Sequence, residues 1–413
     1  MPYRTTPLQI LSRRHNFCLM LVAATGPQCT WLCSGQEFFS ATLAAIDQAQ
    51  HSVCLETYIY SGDALGQRFR EALCRARQRG VRVQVLLDAL GSYSLPASFW
   101  KPLQKLGGEV RLFNPLSLYR LGIRNHRKVL TCDATVAFVG GFNISSEYEG
   151  DGVKTGWRDL GLKIEGTVVT ELINTFDEMF ERADFVGKPF LRRRRPKAKK
   201  TVVVSQEQLL LSGPGWGYSP IKRALQRDLA RARSVQIMAG YFLPTWRLRR
   251  LLARVPARGG RVQLILPGKS DVAVSRLASQ SLYRRLFKAD IEVYEYQPQI
   301  LHAKLLIIDD LVYVGSANLD PRSLNINYEL MLRLDHPQIT ADAREVFART
   351  LEHCRRIDPE EWSRSRSLWH RVRQRWAYLL LVRLDPYIAW RQWRMLKGVK
   401  TFETLKGVKT IKR

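Results

Sequence analysis

Two histidines in this chain are each followed, two residues later, by lysine: His126-Arg127-Lys128 and His302-Ala303-Lys304. Extended backbone puts residues i and i+2 on one face, so each pair presents an imidazole and an ammonium together. Histidine can attack phosphorus or shuttle a proton near neutral pH, and lysine is a cation suited to phosphate oxygens. A single such pair on an apolar strand is ordinarily chance or a satisfied core histidine. Here both pairs lead into apolar strands, then an aspartate (Asp133, Asp309), then a second strand ending Gly140-Gly141-Phe142-Asn143 or Gly315-Ser316-Ala317-Asn318. That recurrence points to one phosphate-handling device used twice.

The aspartates lie at odd parity from their histidines, where each strand must turn, so they read as structural supports. Hairpin pairing should return Asn143 and Asn318 beside the histidines as phosphate-binding amides, with Ser316 joining them in the second copy. Two such patches facing one another can carry out a double displacement. One histidine attacks a phosphodiester and becomes phosphohistidine; the other protonates the departing alcohol and deprotonates the incoming one. The lysines balance the phosphoryl charge, so no metal or cofactor is expected. The imidazoles need orienting carboxylates. Asp159 and Glu329, each opening a hydrophobic strand after its own motif, are the candidates.

The elements around the motifs repeat as well. HSVCLETYIYSG from His51 answers to RSVQIMAGYFLPT from Arg233, VRVQVLLDALG from Val81 to RVQLILPGKSD from Arg261, and VRLFNP from Val110 to IEVYEYQP from Ile291. The β-branched apolar runs read as strands, and EFFSATLAAIDQAQ from Glu37 and PIKRALQRDLARARS from Pro220 read as helices. The fold expected is α/β: two duplicated lobes, each a mixed sheet flanked by helices, related by a pseudo-twofold with one active site at their interface. The divisions expected are a first lobe over 1–187, a basic linker over 188–200, a second lobe over 201–358 and a basic aromatic tail over 359–413.

At 413 residues with 46% hydrophobic and 25% charged residues, the composition is globular and long enough for two cores. A formal net charge of +28 seeks polyanions, either nucleic acid or an anionic membrane. The seven cysteines are scattered without metal-ligand spacing, which suits buried thiols in a reducing cytoplasm. The first apolar stretch, FCLMLVAATG from Phe17, lacks the form of a secretory signal. No run of about 18 apolar residues suggests a spanning helix, so any membrane contact should be peripheral. From Arg364 onward fourteen Lys/Arg face only Asp385 and Glu403, interleaved with aromatics. Trp369, Val372, Trp376 and Leu379 share a helical face; a basic helix of this kind suits a bilayer interface, and docking on the lobes is the competing reading.

The two HxKxxxxD motifs, His126 to Asp133 and His302 to Asp309, resemble those of the phospholipase D superfamily over nearly the whole chain. Within it, ETYIYS, FVGGFNISSEY, GWRD, GYFLP, PGKSD and GSANLDPRSLNINYE look like bacterial cardiolipin synthases, most like the shorter B type without membrane spans. The resemblance implies transfer of a phosphatidyl group from one phosphatidylglycerol to another with release of glycerol. It also implies His126 as nucleophile and His302 as general acid and base, and a peripheral place on the cytoplasmic face of a bacterial inner membrane. Gly141 departs from the repeat where the second copy has Ser316. A hydrolase using water as acceptor, and a nucleic-acid phosphodiesterase, are the alternatives. The tryptophan spacing favours lipid, so no nucleic-acid partner is expected; protein partners are not specified.

Overall fold

The computed structural model describes residues 28–96, 98–114, 122–183, 199–215 and 218–384. The apolar stretch at Phe17, most of the basic linker and the tail beyond 384 lie outside the described residues. The first sheet takes β1 (Gln28–Leu32), β2 (Ser52–Thr57), β3 (Arg82–Asp88), β4 (Glu109–Phe113), β5 (Val129–Cys132), β6 (Val136–Gly140) and β7 (Gly161–Glu165). The second takes β8 (Lys200–Val204), β9 (Glu207–Ser212), β10 (Ser234–Ala239), β11 (Arg261–Pro267), β12 (Glu292–Tyr296), β13 (Lys304–Ile308), β14 (Leu311–Gly315), β15 (Glu329–Asp335) and β16 (Cys354–Arg356).

Strand order makes the duplication plain. The first sheet runs β4-β3-β2-β5-β6-β7-β1, and the second runs β12-β11-β10-β13-β14-β15-β9 in the corresponding places, with β16 and β8 added at its edges. In each lobe the central strands are parallel, β2 with β3 and β4, β10 with β11 and β12. The strand that follows each His/Lys pair runs antiparallel beside the first of these. Near-continuous apolar runs such as Val83–Leu87 are what strands covered on both faces require. Helices cover the outer faces. Gly35–Gln48 starts where Ser34 accepts from the Glu37 amide at 3.2 Å while Glu37 reaches back to the Cys33 amide at 2.7 Å. Pro220–Leu229 starts with a Ser219 cap and proline in the first turn.

The inner faces pack against each other. Val129, Val139, Leu162 and Ile164 of the first sheet share one buried cluster with Leu305, Val312, Val314 and Leu332 of the second. This shared core sets the two lobes rigidly enough to position side chains across the seam.

Lys200, placed by the sequence at the end of the linker, instead opens β8, which pairs with β9. The turn between them puts Ser205 at φ 55°, a left-handed position without the Asn-Gly signature that would have announced a hairpin. The C-terminal helix Leu368–Leu379 packs on the helix Ala273–Gln280. It buries Gln374 and Ala377 and sets Tyr378 and Leu381 against the second-lobe core. Its apolar stripe is not the docked face: Trp369 is 70% exposed and Trp376 67%, with Val372 and Leu379 also exposed. Docking and an outward tryptophan face coexist on one helix.

Candidate active site

The His/Lys pairs do not sit within regular strands. β5 starts at Val129 and β13 at Lys304, so each histidine lies on the extended approach just before its strand. Each approach is held by the opposite lobe. The His126 amide donates to the Tyr328 carbonyl at 2.9 Å and the Tyr328 amide to the Arg124 carbonyl at 2.9 Å. The His302 amide donates to the Arg158 carbonyl at 2.8 Å and the Arg158 amide to the Ile300 carbonyl at 2.8 Å. These two parallel bridges, Asn125 with Tyr328 and Leu301 with Arg158, are pseudo-twofold mates. Arg158 reinforces the seam, its guanidinium reaching the Cys33 carbonyl at 2.6 Å and Thr350 Oγ1 at 2.8 Å.

Residues 158 and 328 immediately precede the two candidate carboxylates, and the bridges therefore deliver them across the interface. His126 Nδ1 lies 3.1 Å from Glu329 of the second lobe, and His302 Nδ1 lies 2.6 Å from Asp159 of the first. Each carboxylate follows its own motif in the sequence, and the structure pairs it with the histidine of the other lobe. With Nδ1–H donated to a carboxylate, Nε2 is the nitrogen left for chemistry in each ring. Both carboxylates are fully buried, while the His126 side chain keeps 12% exposure and His302 6%, enough for the rings to meet a substrate.

Lys128 Nζ donates to the carbonyl of His126 at 2.7 Å and lies 5.3 Å over the Tyr58 ring. Lys304 Nζ donates to the His302 carbonyl and lies 2.8 Å from Nδ1 and 3.3 Å from Nε2 of that ring. Burial is the main reason the His126 imidazole is pushed down to about 4, with Lys128 and Lys304 adding to it against the pull of Glu329. Burial also lowers His302, helped by Lys304 and Lys128 and opposed by Asp159. It takes the Lys128 ammonium down to about 7 and lowers Lys304 as well. Burial pushes the two carboxyls up, but Lys304 and His302 bring Asp159, and His126 and Lys128 bring Glu329, below their ordinary values. Each lysine thus acts on the other motif's histidine: the two motifs share one electrostatic site.

Asp133 and Asp309 take up backbone amides at the strand turns. Asp133 accepts from the amides of Gln50, His51 and Ser52 at 3.1, 2.7 and 2.9 Å. Asp309 accepts from those of Arg233 and Ser234 at 3.0 and 2.8 Å. Both occupy left-handed backbone, φ 52° and 49°, at the hairpin turn, and both clamp it to the start of the antiparallel neighbour, β2 or β10.

The three expected phosphate binders separate. Asn143 accepts from the Ile59 amide at 3.1 Å and donates to Tyr148 Oη at 2.7 Å, and that hydroxyl lies 3.5 Å from His302 Nδ1. Its link to an imidazole is therefore to the other motif's ring. Asn318 is buried with Oδ1 unpartnered among the described residues. Ser316 corrects the sequence reading: its hydroxyl donates to Glu329 Oε2 at 2.5 Å and accepts from the Leu330 amide at 3.1 Å. It steadies the carboxylate behind His126 and has no hydroxyl proton left for phosphate. The departure at Gly141 has the same root. A Cβ there would stand 2.1 Å from Asp159 Oδ1, so only glycine lets Asp159 occupy the place that Glu329, with Ser316, fills in the other half.

Aromatic walls escaped the sequence reading. Tyr58 meets His126 edge-on at 4.9 Å, and Tyr148 and Trp157 flank His302 at 5.4 and 5.7 Å. Tyr241, 6.1 Å from His302, donates to Asp271 at 2.6 Å. Trp157 and Tyr148 stood inside recognised stretches, but nothing in their spacing marked them. Arg127, between His126 and Lys128, points the other way into an ion pair with Glu56 at 3.2 Å; the second lobe carries Ala303 and Met238 at the matching places, so the pair is not a part of the repeated device.

Two duplicated lobes that exchange carboxylates around paired His/Lys motifs define a phospholipase D-like fold and site. The family model described as "Cardiolipin synthase, PLD-like domain" matches residues 42–183 and 225–351, and the chain belongs to that family. It is 33% identical over 364 residues to cardiolipin synthase 1 of Bacillus anthracis, covering 84% of this chain and 71% of that one. It is 30% identical over 387 residues to cardiolipin synthase B of Escherichia coli K12, covering 88% and 92%. Among solved structures, phosphatidylserine synthase of Haemophilus influenzae Rd KW20 superposes with a TM-score of 0.68 at 15% identity, covering 88% of this chain and 95% of that one. At that identity the likeness is one of fold.

Proposed function

We propose that this chain is a cardiolipin synthase that transfers a phosphatidyl group from one phosphatidylglycerol to another and releases glycerol. The exchanged carboxylate–imidazole pairs carry the reading, because they occupy both Nδ1 atoms and leave both Nε2 atoms for a site whose charge Lys128 and Lys304 share. His126 Nε2 attacks the phosphorus of the first phosphatidylglycerol, and the phosphorus–oxygen bond to glycerol breaks. His302, as imidazolium held by Asp159, gives its proton to the leaving oxygen. The terminal hydroxyl of the second phosphatidylglycerol then gives its proton back to His302, and its oxygen displaces His126 from phosphorus. In the free site His126 is neutral, as a nucleophile must be. A bound phosphate anion offsets the charge of Lys128 and Lys304 and favours protonation of His302. Asn143 and Asn318 are assigned as amide donors to the phosphoryl oxygens in this reading.

The two lobes, the second beginning at β8 with Lys200, supply this site, and the tail over 359–413 attaches it peripherally to the cytoplasmic face of a bacterial inner membrane. Supporting that attachment, the C-terminal helix turns Trp369 and Trp376 outward with Arg371, Arg373 and Arg375 alongside. Among the described residues no helix is long and apolar enough to cross a membrane. The test is mass spectrometry of lipids after purified protein meets phosphatidylglycerol alone. Cardiolipin with equimolar glycerol is expected; phosphatidic acid without cardiolipin would favour the hydrolase.

A further inference from the structure

Away from the histidines, the outer helical layer of the second lobe carries an open groove of about 560 Å³, within the size range of small-molecule sites. It lies at the seam where the C-terminal helix meets that lobe. Leu282 and Leu286, both part of the lobe's core, form its floor together with Ile291. Four guanidinium groups, those of Arg249, Arg250, Arg285 and Arg383, line it, and no lining residue is acidic. Among the described residues no ion pair engages any of the four. Arg250 lies over the Trp246 ring at 5.5 Å and Arg249 over the Tyr378 ring at 5.7 Å, and Arg249 Nε is buried without a partner.

Four cations without carboxylates above an apolar trough call for an amphiphile with an anionic head. A soluble anion would satisfy the arginines and leave the trough wet; a neutral apolar ligand would do the reverse. Tyr378 belongs to the same helix whose other face exposes Trp369 and Trp376, and Trp246 in the groove wall is itself 61% exposed. The groove thus opens beside the surface proposed to meet the bilayer.

We infer that this groove is a second lipid site, separate from the phosphatidyl-transfer centre. It takes the phosphate of a membrane anionic phospholipid on its arginines and an acyl chain along the more open apolar lining, Trp246, Ala253 and Ala289. The inference rests on the proposed membrane attachment and not on the transfer chemistry.

The test uses the full-length protein on phosphatidylcholine vesicles carrying phosphatidic acid with a photoactivatable diazirine in its acyl chain. Irradiation should label the 282–291 segment and the vicinity of Tyr378. In the Arg249→Gln/Arg285→Gln variant that labelling should fall about tenfold. Labelling of Leu368–Trp376, and turnover of phosphatidylglycerol in detergent, should stay unchanged. Groove labelling that persists in the variant overturns the inference, as does labelling of the parent confined to the tryptophan stripe. A parent that labels as expected but makes no cardiolipin would leave the groove standing and sink the transfer reading instead.

Discussion

Glu329 in the second lobe lies 3.1 Å from Nδ1 of His126 in the first, and the reciprocal pair, Asp159 with His302, closes to 2.6 Å. Neither lobe can orient its own histidine, which makes the lobe interface part of the chemistry. Asp159→Asn and Glu329→Gln should therefore keep the fold and lose about 10²- to 10⁴-fold in turnover, through a mis-set tautomer. Steady-state rates on detergent-solubilised phosphatidylglycerol check this. A loss under tenfold in both variants would show that the carboxylates are only structural.

His126→Ala and His302→Ala should each abolish cardiolipin formation while circular dichroism stays native, because both rings serve each transfer. Near-normal turnover in either variant would rule out the two-histidine cycle.

Much of this was legible beforehand, and the reasons are physical. The HxK spacing reports side-chain periodicity directly, and short, β-branched apolar runs such as Val83–Leu87 read as strands covered on both faces. The repeat therefore yielded the two duplicated lobes and the four His/Lys candidates. The exchange of Asp159 and Glu329 was not legible, because it depends on bridges between Arg158 and Leu301 and between Asn125 and Tyr328, which no local pattern encodes. Ser316 was misjudged for a related reason: a hydroxyl beside a phosphate site and one beside a carboxylate look alike until Glu329 arrives from β15. The stripe from Trp369 was legible as a face, but which face docks was decided by Gln374 and Ala377.

The turn aspartates should matter to stability and not to chemistry. Asp133→Ala removes the carboxylate that accepts from three backbone amides and places alanine at φ 52°, which should cost about 2–3 kcal/mol. Asp309→Ala should cost somewhat less, since it loses two. Urea denaturation measures both, and rates per folded molecule should be close to those of the parent.

The alkaline side of the pH profile should belong to Lys128. Its ammonium, lowered to about 7, is present below that value and lost above it. Thus kcat/KM, which reports the free enzyme, should fall as pH rises through about 7. Lys128→Arg keeps its charge throughout and should lack this limb in whatever activity remains. On the acid side His126 is held neutral down to about 4, against an ordinary value of about 6.5 in the unfolded chain. The unfolded state binds that proton first, so stability from this group is complete above about 6.5 and is lost as pH falls toward about 4.

Membrane attachment should depend on the outward stripe. Trp369→Ser/Trp376→Ser should weaken binding to anionic liposomes at least tenfold and leave turnover in detergent unchanged, since neither ring packs on the lobe. Cutting the chain before this helix is a poorer experiment, because it would also uncover the second-lobe core beneath Tyr378 and Leu381. Equal losses in both assays would assign the stripe to folding.

The most direct measurement is the stereochemistry at phosphorus. Phosphatidylglycerol made chiral at phosphorus with oxygen isotopes, supplied with excess unlabelled phosphatidylglycerol as acceptor, should yield cardiolipin with net retention at the transferred phosphorus. Two in-line displacements, one onto a histidine and one off it, each invert. Net inversion would mean a single direct displacement, and would remove the phosphohistidine on which both lobes are said to act.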